Sequence, residues 1–149
     1  MVFIHGHQRH THGSRDVSPV DFDNRMALKH LDLDFIQHVG YANLRCILAP
    51  GCPDELQPFR PEEEWDSLRP QERAMPDAWS RLFMNKDVPF VIATPCCAQF
   101  AVSREQVLRR SRESYVRYLG WLLETPLDDF TSGRVFEYLW HIIFGREPI

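Results

Sequence analysis

Glu137 and His141 lie four residues apart in an otherwise apolar stretch, RVFEYLWHIIF, which places both on one face of a helix. An ionisable pair in such surroundings needs partners or must face a cavity. The chemistry it suggests is a general base with its orienting imidazole, or half of a metal site. A buried Glu–His hydrogen bond without chemistry fits the same spacing. The opening residues carry a second set, His5, His7, His10 and His12, in the pattern H-x-H-x2-H-x-H. His5 and His7, two apart on a strand, project to one side. With His12 in the adjoining loop they are candidate ligands for Zn²⁺ or another transition metal, against the alternative of surface histidines in a polar loop. A third set lies in CCAQFAVSREQV, Cys96–Val107. On a strand, Gln99, Ala101 and Ser103 share one face and Phe100 and Val102 the other, and the small Ala101 leaves room for something to lie against its face. Asn43 and Arg45 share the side of another strand, a donor pair for a carboxylate or phosphate.

The elements that must position these groups follow from periodicity and punctuation. Val2–His7 reads as a strand, and Ser14–Asp23 as a polar loop broken by Pro19. Asn24–His30 and Leu33–Val39 read as short helices, the second ended by Gly40. Tyr41–Leu48 is a strand stopped by Pro50–Gly51. Cys52–Gln71 is an acidic, proline-rich surface excursion, solvated or lid-forming, because Pro53, Pro58, Pro61 and Pro70 forbid one long helix. Glu72–Met84 carries Trp79, Leu82 and Phe83 at helical spacing, with Pro76 in its first turn or splitting it. Val88–Ala93 has the composition of a buried strand. The next strand runs into a helix at Ser103, where Gln106 three residues on completes an S-x-x-Q capping box. Glu113–Thr125 aligns Tyr115, Tyr118, Leu119, Leu122 and Leu123 in one apolar stripe. Ser132 caps the last helix, Gly133–Phe144, which is apolar all round, hence buried, and ends at Gly145.

With 149 residues, 44% of them hydrophobic and 26% charged, the chain has the size and balance of one globular domain. A net charge of −4 gives no global pull toward nucleic acid or an anionic membrane, and Glu105 and Glu113 interrupt the arginines at 104, 109, 110, 112 and 117. MVFIHGHQ is too quickly polar for a signal peptide and no apolar run reaches the length of a membrane span, so the cytoplasm is the default expectation. Cys46, Cys52 and the adjacent Cys96–Cys97 lack zinc-finger spacing. They read as buried thiols, with a disulfide between the two regions as the oxidising-compartment alternative.

FIHGHQRHTH, GYANLRCILAPGCP, CCAQFAVSRE, WLLETPLDD and SGRVFEYLWHIIFG resemble successive blocks of an uncharacterised, largely fungal domain-of-unknown-function family, number 3431. The resemblance spans nearly the whole chain. It implies an α/β fold, a mixed sheet with flanking helices, similar to the C-terminal portion of a GT-A-like glycosyltransferase domain whose earlier strands are absent here. In that reading His5 and His7 with His141 hold a divalent metal (Mn or Zn) or a diphosphate, and His12 matches a further family histidine. Gln99, Ser103 and Arg104 face the acceptor, Glu137 deprotonates an acceptor hydroxyl, and Arg45 or Arg104 assists the leaving diphosphate. The implied partners are a nucleotide sugar and, because a truncated sheet exposes an edge, a second copy or a complementing chain. A degenerate remnant, a non-catalytic metal-binding or interaction module, and a tailoring protein of fungal secondary metabolism are the competing expectations.

Overall fold

The structure is a computed structural model and describes residues 1–6, 23–44, 52 and 55–149. Its short strands are β1 (Val2–Phe3), β2 (Tyr41–Asn43) and β3 (Phe100–Val102). β3 runs between the other two and pairs antiparallel with both, Phe3 and Asn43 standing on either side of Phe100. Among the described residues the sheet is therefore antiparallel, not mixed: β2 and β3, consecutive in the chain, lie side by side but run in opposite directions, and β1 also runs opposite to β3. The Met1 ammonium donates to the Val102 carbonyl at 2.7 Å, and Val102 N–H returns a bond to the Met1 carbonyl. Of the two expected strands, β1 covers Val2–Phe3 and β2 covers Tyr41–Asn43; His7 and residues 45–48, which the expectations included, lie outside the described residues.

Helices α1 (Asn24–Lys29) and α2 (Leu33–Val39) start on Asp23 and Asp32, whose carboxylates accept backbone N–H groups of the first turn. Gly40 ends α2 at φ 83, a left-handed position that favours glycine. Helix α3 (Pro70–Phe83) corrects the expectation for its prolines. Pro70 occupies the first turn, where its missing N–H is harmless, and Pro76 sits inside an unbroken helix. An interior proline costs about 3 kcal/mol. The buried Met75 and Leu82 offset it, each contributing about 1.5–3 kcal/mol by leaving water.

Val88–Ala93 is not a strand. Only Ile92 makes a strand-type bridge, exchanging both backbone bonds with Leu56; Ala93 N–H donates to the Pro148 carbonyl at 2.8 Å, and Phe90 is 79% exposed. Pro89 has no N–H to donate, and among the described residues no neighbouring strand lies along the segment. The same bridge draws Leu56, fully buried, into the core. The proline-rich segment is pinned a second time by Glu72, which accepts from the Gln57 N–H at 2.7 Å and from Arg60 Nε at 2.8 Å. Its described part is thus anchored, not merely solvated.

Helix α4 (Arg104–Leu108) begins on Ser103, whose hydroxyl accepts the Gln106 N–H at 3.1 Å. The second half of the capping box does not form. Ser103 N–H goes to the Gly40 carbonyl, and Gln106 Nε2 donates to the Phe144 carbonyl at 2.6 Å. Helix α5 (Arg112–Glu124) buries Tyr118 and Trp121 but leaves Leu119, Leu122 and Leu123 exposed. The indole, with more surface to remove from water than a leucine, takes the core side and packs edge-on against Phe136. Two arginines cap neighbouring helices: Arg110 donates to the Ile142 and Ile143 carbonyls, and Arg117 to the Leu82 carbonyl. They satisfy orphan carbonyls at helix C-termini and complement the dipoles there.

Helix α6 (Asp129–Ile143) is capped by Asp128, which accepts the Thr131 N–H, not by Ser132, which lies in its first turn and a half. It packs on α3, and with it supplies most of the core: Val135, Tyr138, Leu139 and Ile143 against Met75, Ala78 and Leu82.

Candidate ligand cleft

Between the carbonyl of Pro95 and the start of β3 the chain makes a turn that the alternating pattern does not announce. Cys97 and Ala98 take φ values of 88 and 47, a left-handed pair without a glycine. Such positions cost on the order of 1–3 kcal/mol each and persist only when surrounding contacts over-determine them. Three contacts do so. Cys96 and Cys97 are joined to each other by a disulfide, which corrects the reading of this pair as buried thiols and takes the place of the alternative bridge between distant regions, while Cys52 is a half-buried free thiol. Asn43 Nδ2 donates to the Pro95 carbonyl at 3.1 Å just before the turn. Glu137, from α6, accepts the backbone N–H of Cys97 with Oε1. Among the described residues no donor reaches its other oxygen.

Beside this turn lies a cleft of about 450 Å³, in the range of small-ligand sites. Phe100 and Trp140 form its floor, Phe3 and His5 one wall, and Cys97 and Ala98 the other. Glu137 stands behind the Cys97 wall, tied to it by the hydrogen bond. His5 is exposed on the rim, its backbone N–H pointing at Gln99 Oε1 across 3.4 Å and its carbonyl accepting from Asn24 Nδ2 at 3.1 Å. Gln99 is buried and therefore works as a brace for the β1 end of the cleft.

The structure thus brings His5, Gln99 and Glu137 to one end of the sheet. His141 is elsewhere. It is 6% exposed, its Nε2 meets the Pro148 carbonyl at 3.4 Å, and its Nδ1 has no partner among the described residues. Burial pushes its pKa from 6.5 down to about 4, against a smaller opposite pull from the Pro148 carbonyl, so the ring is neutral at pH 7. No hydrogen bond or ion pair joins it to Glu137. Ser103 and Arg104 lie at the opposite end of β3, about 10 Å of strand away. Ser103 is buried as a helix cap, and Arg104 is exposed. His7, His10, His12, Arg45 and Cys46 lie outside the described residues.

Sequence reasoning missed the closest chemical grouping in the cleft wall. One ligand atom from each of Cys96, Cys97 and Glu137 lies within 4.8 Å of the others. The adjacent cysteines are visible in the sequence, but nothing local ties them to a carboxylate 40 residues on. Trp140 is the other missed residue; its position three residues after Glu137 was the available signal. No helix among the described residues is long and apolar enough to cross a membrane.

A family model described as "Protein of unknown function (DUF3431)" matches residues 1–149. None of the curated proteins and none of the solved structures matches the chain.

Proposed function

We propose a sugar-transfer role for this chain, which belongs to the DUF3431 family: a glycosyltransferase-like domain that takes a nucleotide sugar and a hydroxyl acceptor at the cleft between β1 and the Cys96–Ala98 turn. The observation that carries the reading is Glu137, a partly buried carboxylate behind the Cys97 side of that cleft, with one oxygen fixed by the Cys97 N–H and the other without a donor among the described residues. In the reaction the free oxygen takes the proton of the acceptor hydroxyl as the hydroxyl oxygen bonds to the anomeric carbon. The bond from that carbon to the diphosphate breaks, and the nucleoside diphosphate leaves with the electron pair. Phe100 and Trp140 offer the apolar and aromatic floor on which a base or a sugar face packs.

Of the histidines expected to hold a metal, His5 and His141 are among the described residues, but His141 is sealed against Pro148 and does not line the cleft, and the one remaining imidazole does not make a Mn²⁺–diphosphate site. No step of the reading runs through a metal. Calorimetry with a panel of nucleotide sugars, with and without Mn²⁺, tests it. Binding of one of them, followed by transfer that Glu137→Gln lowers about 100-fold or more, is the expected result; no binding of any overturns it. Val2, Phe3 and Ile4 are 37–42% exposed along the sheet edge, which favours a second copy or complementing chain there. Sedimentation of the purified chain, expected to show a species heavier than the monomer, checks that part.

A further inference from the structure

Apart from the sugar-transfer reading, we propose that Cys96, Cys97 and Glu137 form a redox-gated site for a thiolate-seeking divalent cation of the Zn²⁺ and Cd²⁺ type. Two sulfur atoms and a carboxylate oxygen lie within 4.8 Å of one another. A tetrahedral ion with bonds of ~2.0–2.3 Å requires ligand atoms roughly 3.3–3.8 Å apart, so once the disulfide is reduced the two sulfurs must swing apart to that spacing beside a carboxylate oxygen that is already within 4.8 Å. The backbone has already made the expensive arrangement: the left-handed pair at Cys97 and Ala98 holds both sulfurs at the same turn. Glu137 is oriented by the Cys97 N–H on Oε1, as outer hydrogen bonds orient metal ligands, and among the described residues no donor reaches its second oxygen. Cys97 lines the cleft, which gives an ion its entry path and leaves a fourth coordination position facing the hollow. Two thiolates favour Zn²⁺ or Cd²⁺ over Mg²⁺, Ca²⁺ or Mn²⁺.

In the oxidised turn the sulfurs are bonded to each other and offer no thiolate. A dithiol reductant delivers two electrons and two protons: the S–S bond breaks, two thiols form, and the reductant leaves as its own disulfide. The cation then displaces both thiol protons to solvent. Three negative donors this close repel one another, and a cation between them removes the repulsion.

Cd²⁺ is the probe, titrated with no nucleotide present, so the outcome is separate from that of the sugar-transfer assay. The protein carries Cys46→Ser and Cys52→Ser, so that Cys96 and Cys97 are its only cysteines. After reduction and removal of the reductant, the expected result is one Cd²⁺ per chain by calorimetry, with a thiolate-to-metal charge-transfer band in the ultraviolet. The oxidised protein shows neither, Cys97→Ser loses the band, and Glu137→Gln binds about ten-fold more weakly or worse. A reduced protein without the band, an oxidised protein that binds equally, or unchanged affinity in Glu137→Gln overturns the proposal. If the double serine background does not fold, the same titration on the intact chain against Cys97→Ser decides it by the same criteria.

Discussion

Glu137 Oε1 accepts the backbone N–H of Cys97, so a residue of the closing helix holds a turn 40 positions earlier in the chain. A hydrogen bond to a charged acceptor contributes about 1.5–3 kcal/mol. Glu137→Ala is therefore expected to lose about that much in chemical denaturation. Glu137→Gln, which keeps an acceptor oxygen, should lose less than half of it. Equal losses in the two variants would mean that the carboxylate does not hold the turn.

His141 sets an acid limit on the fold. Its folded pKa of about 4 lies below the ordinary 6.5, so the unfolded chain binds the extra proton between those values. Stability from this residue is fully present above pH 6.5, falls as pH drops, and is gone below about 4. The difference is on the order of 3 kcal/mol for this 6% exposed ring. Replacing it with Met, which also removes the unpartnered Nδ1, should flatten denaturation midpoints between pH 6.5 and 4; an unchanged slope would refute this.

Gln106 fills the space that Gly40 and Gly145 leave open. A Cβ on Gly40 would meet Gln106 Oε1 at 2.7 Å, and one on Gly145 would meet Nε2 at 2.6 Å, both glycines having positive φ. Gly145→Ala is expected to cost about 1–2 kcal/mol from backbone strain alone, with the collision added. Adding Gln106→Ala should return the collision part but not the strain, a coupling that a double-mutant cycle by urea denaturation reads directly.

Glu72 and Arg60 form an ion pair with side-chain exposures of 3% and 18%. Removing the Glu72 carboxylate takes away the acceptor of the Gln57 N–H and the short partner of Arg60, which keeps Glu64 at 4.0 Å. Glu72→Ala is expected to destabilise by about 1–3 kcal/mol and to make residues 55–69 the earliest protease-sensitive segment. A loss below 1 kcal/mol would show that the segment does not depend on this anchor.

What could be read from the sequence was what is decided locally. The helix Leu33–Val39 with its Gly40 stop, and the Ser103 cap, depend on neighbours three or four residues away and appear as expected. Competition among local signals was harder to see: Ser132 and Asp128 both suit a helix start, and the Asp128 carboxylate, already paired with the Thr131 N–H, takes the role. Non-local outcomes were not legible. Gln106 abandons its capping box for the Phe144 carbonyl, VPFVIA makes a single β-bridge at Ile92 instead of a strand, and Trp121 displaces the leucines of its helix from the core. Of the residues singled out in the sequence, His5 lines the cleft while Gln99 and Glu137 hydrogen-bond to residues that line it, and no local signal shows that His141, one turn further on, is sealed against Pro148.

The cleft floor carries its own optical reporter. Trp140 shares the cleft with Cys97, and a disulfide is an efficient quencher of indole emission at short range. Reduction of the turn should therefore brighten the protein's fluorescence, and Trp140→Phe should abolish most of that gain while leaving the emission of Trp65, Trp79 and Trp121 in place. The oxidation state of two adjacent sulfurs thus becomes a signal readable in a cuvette without any label.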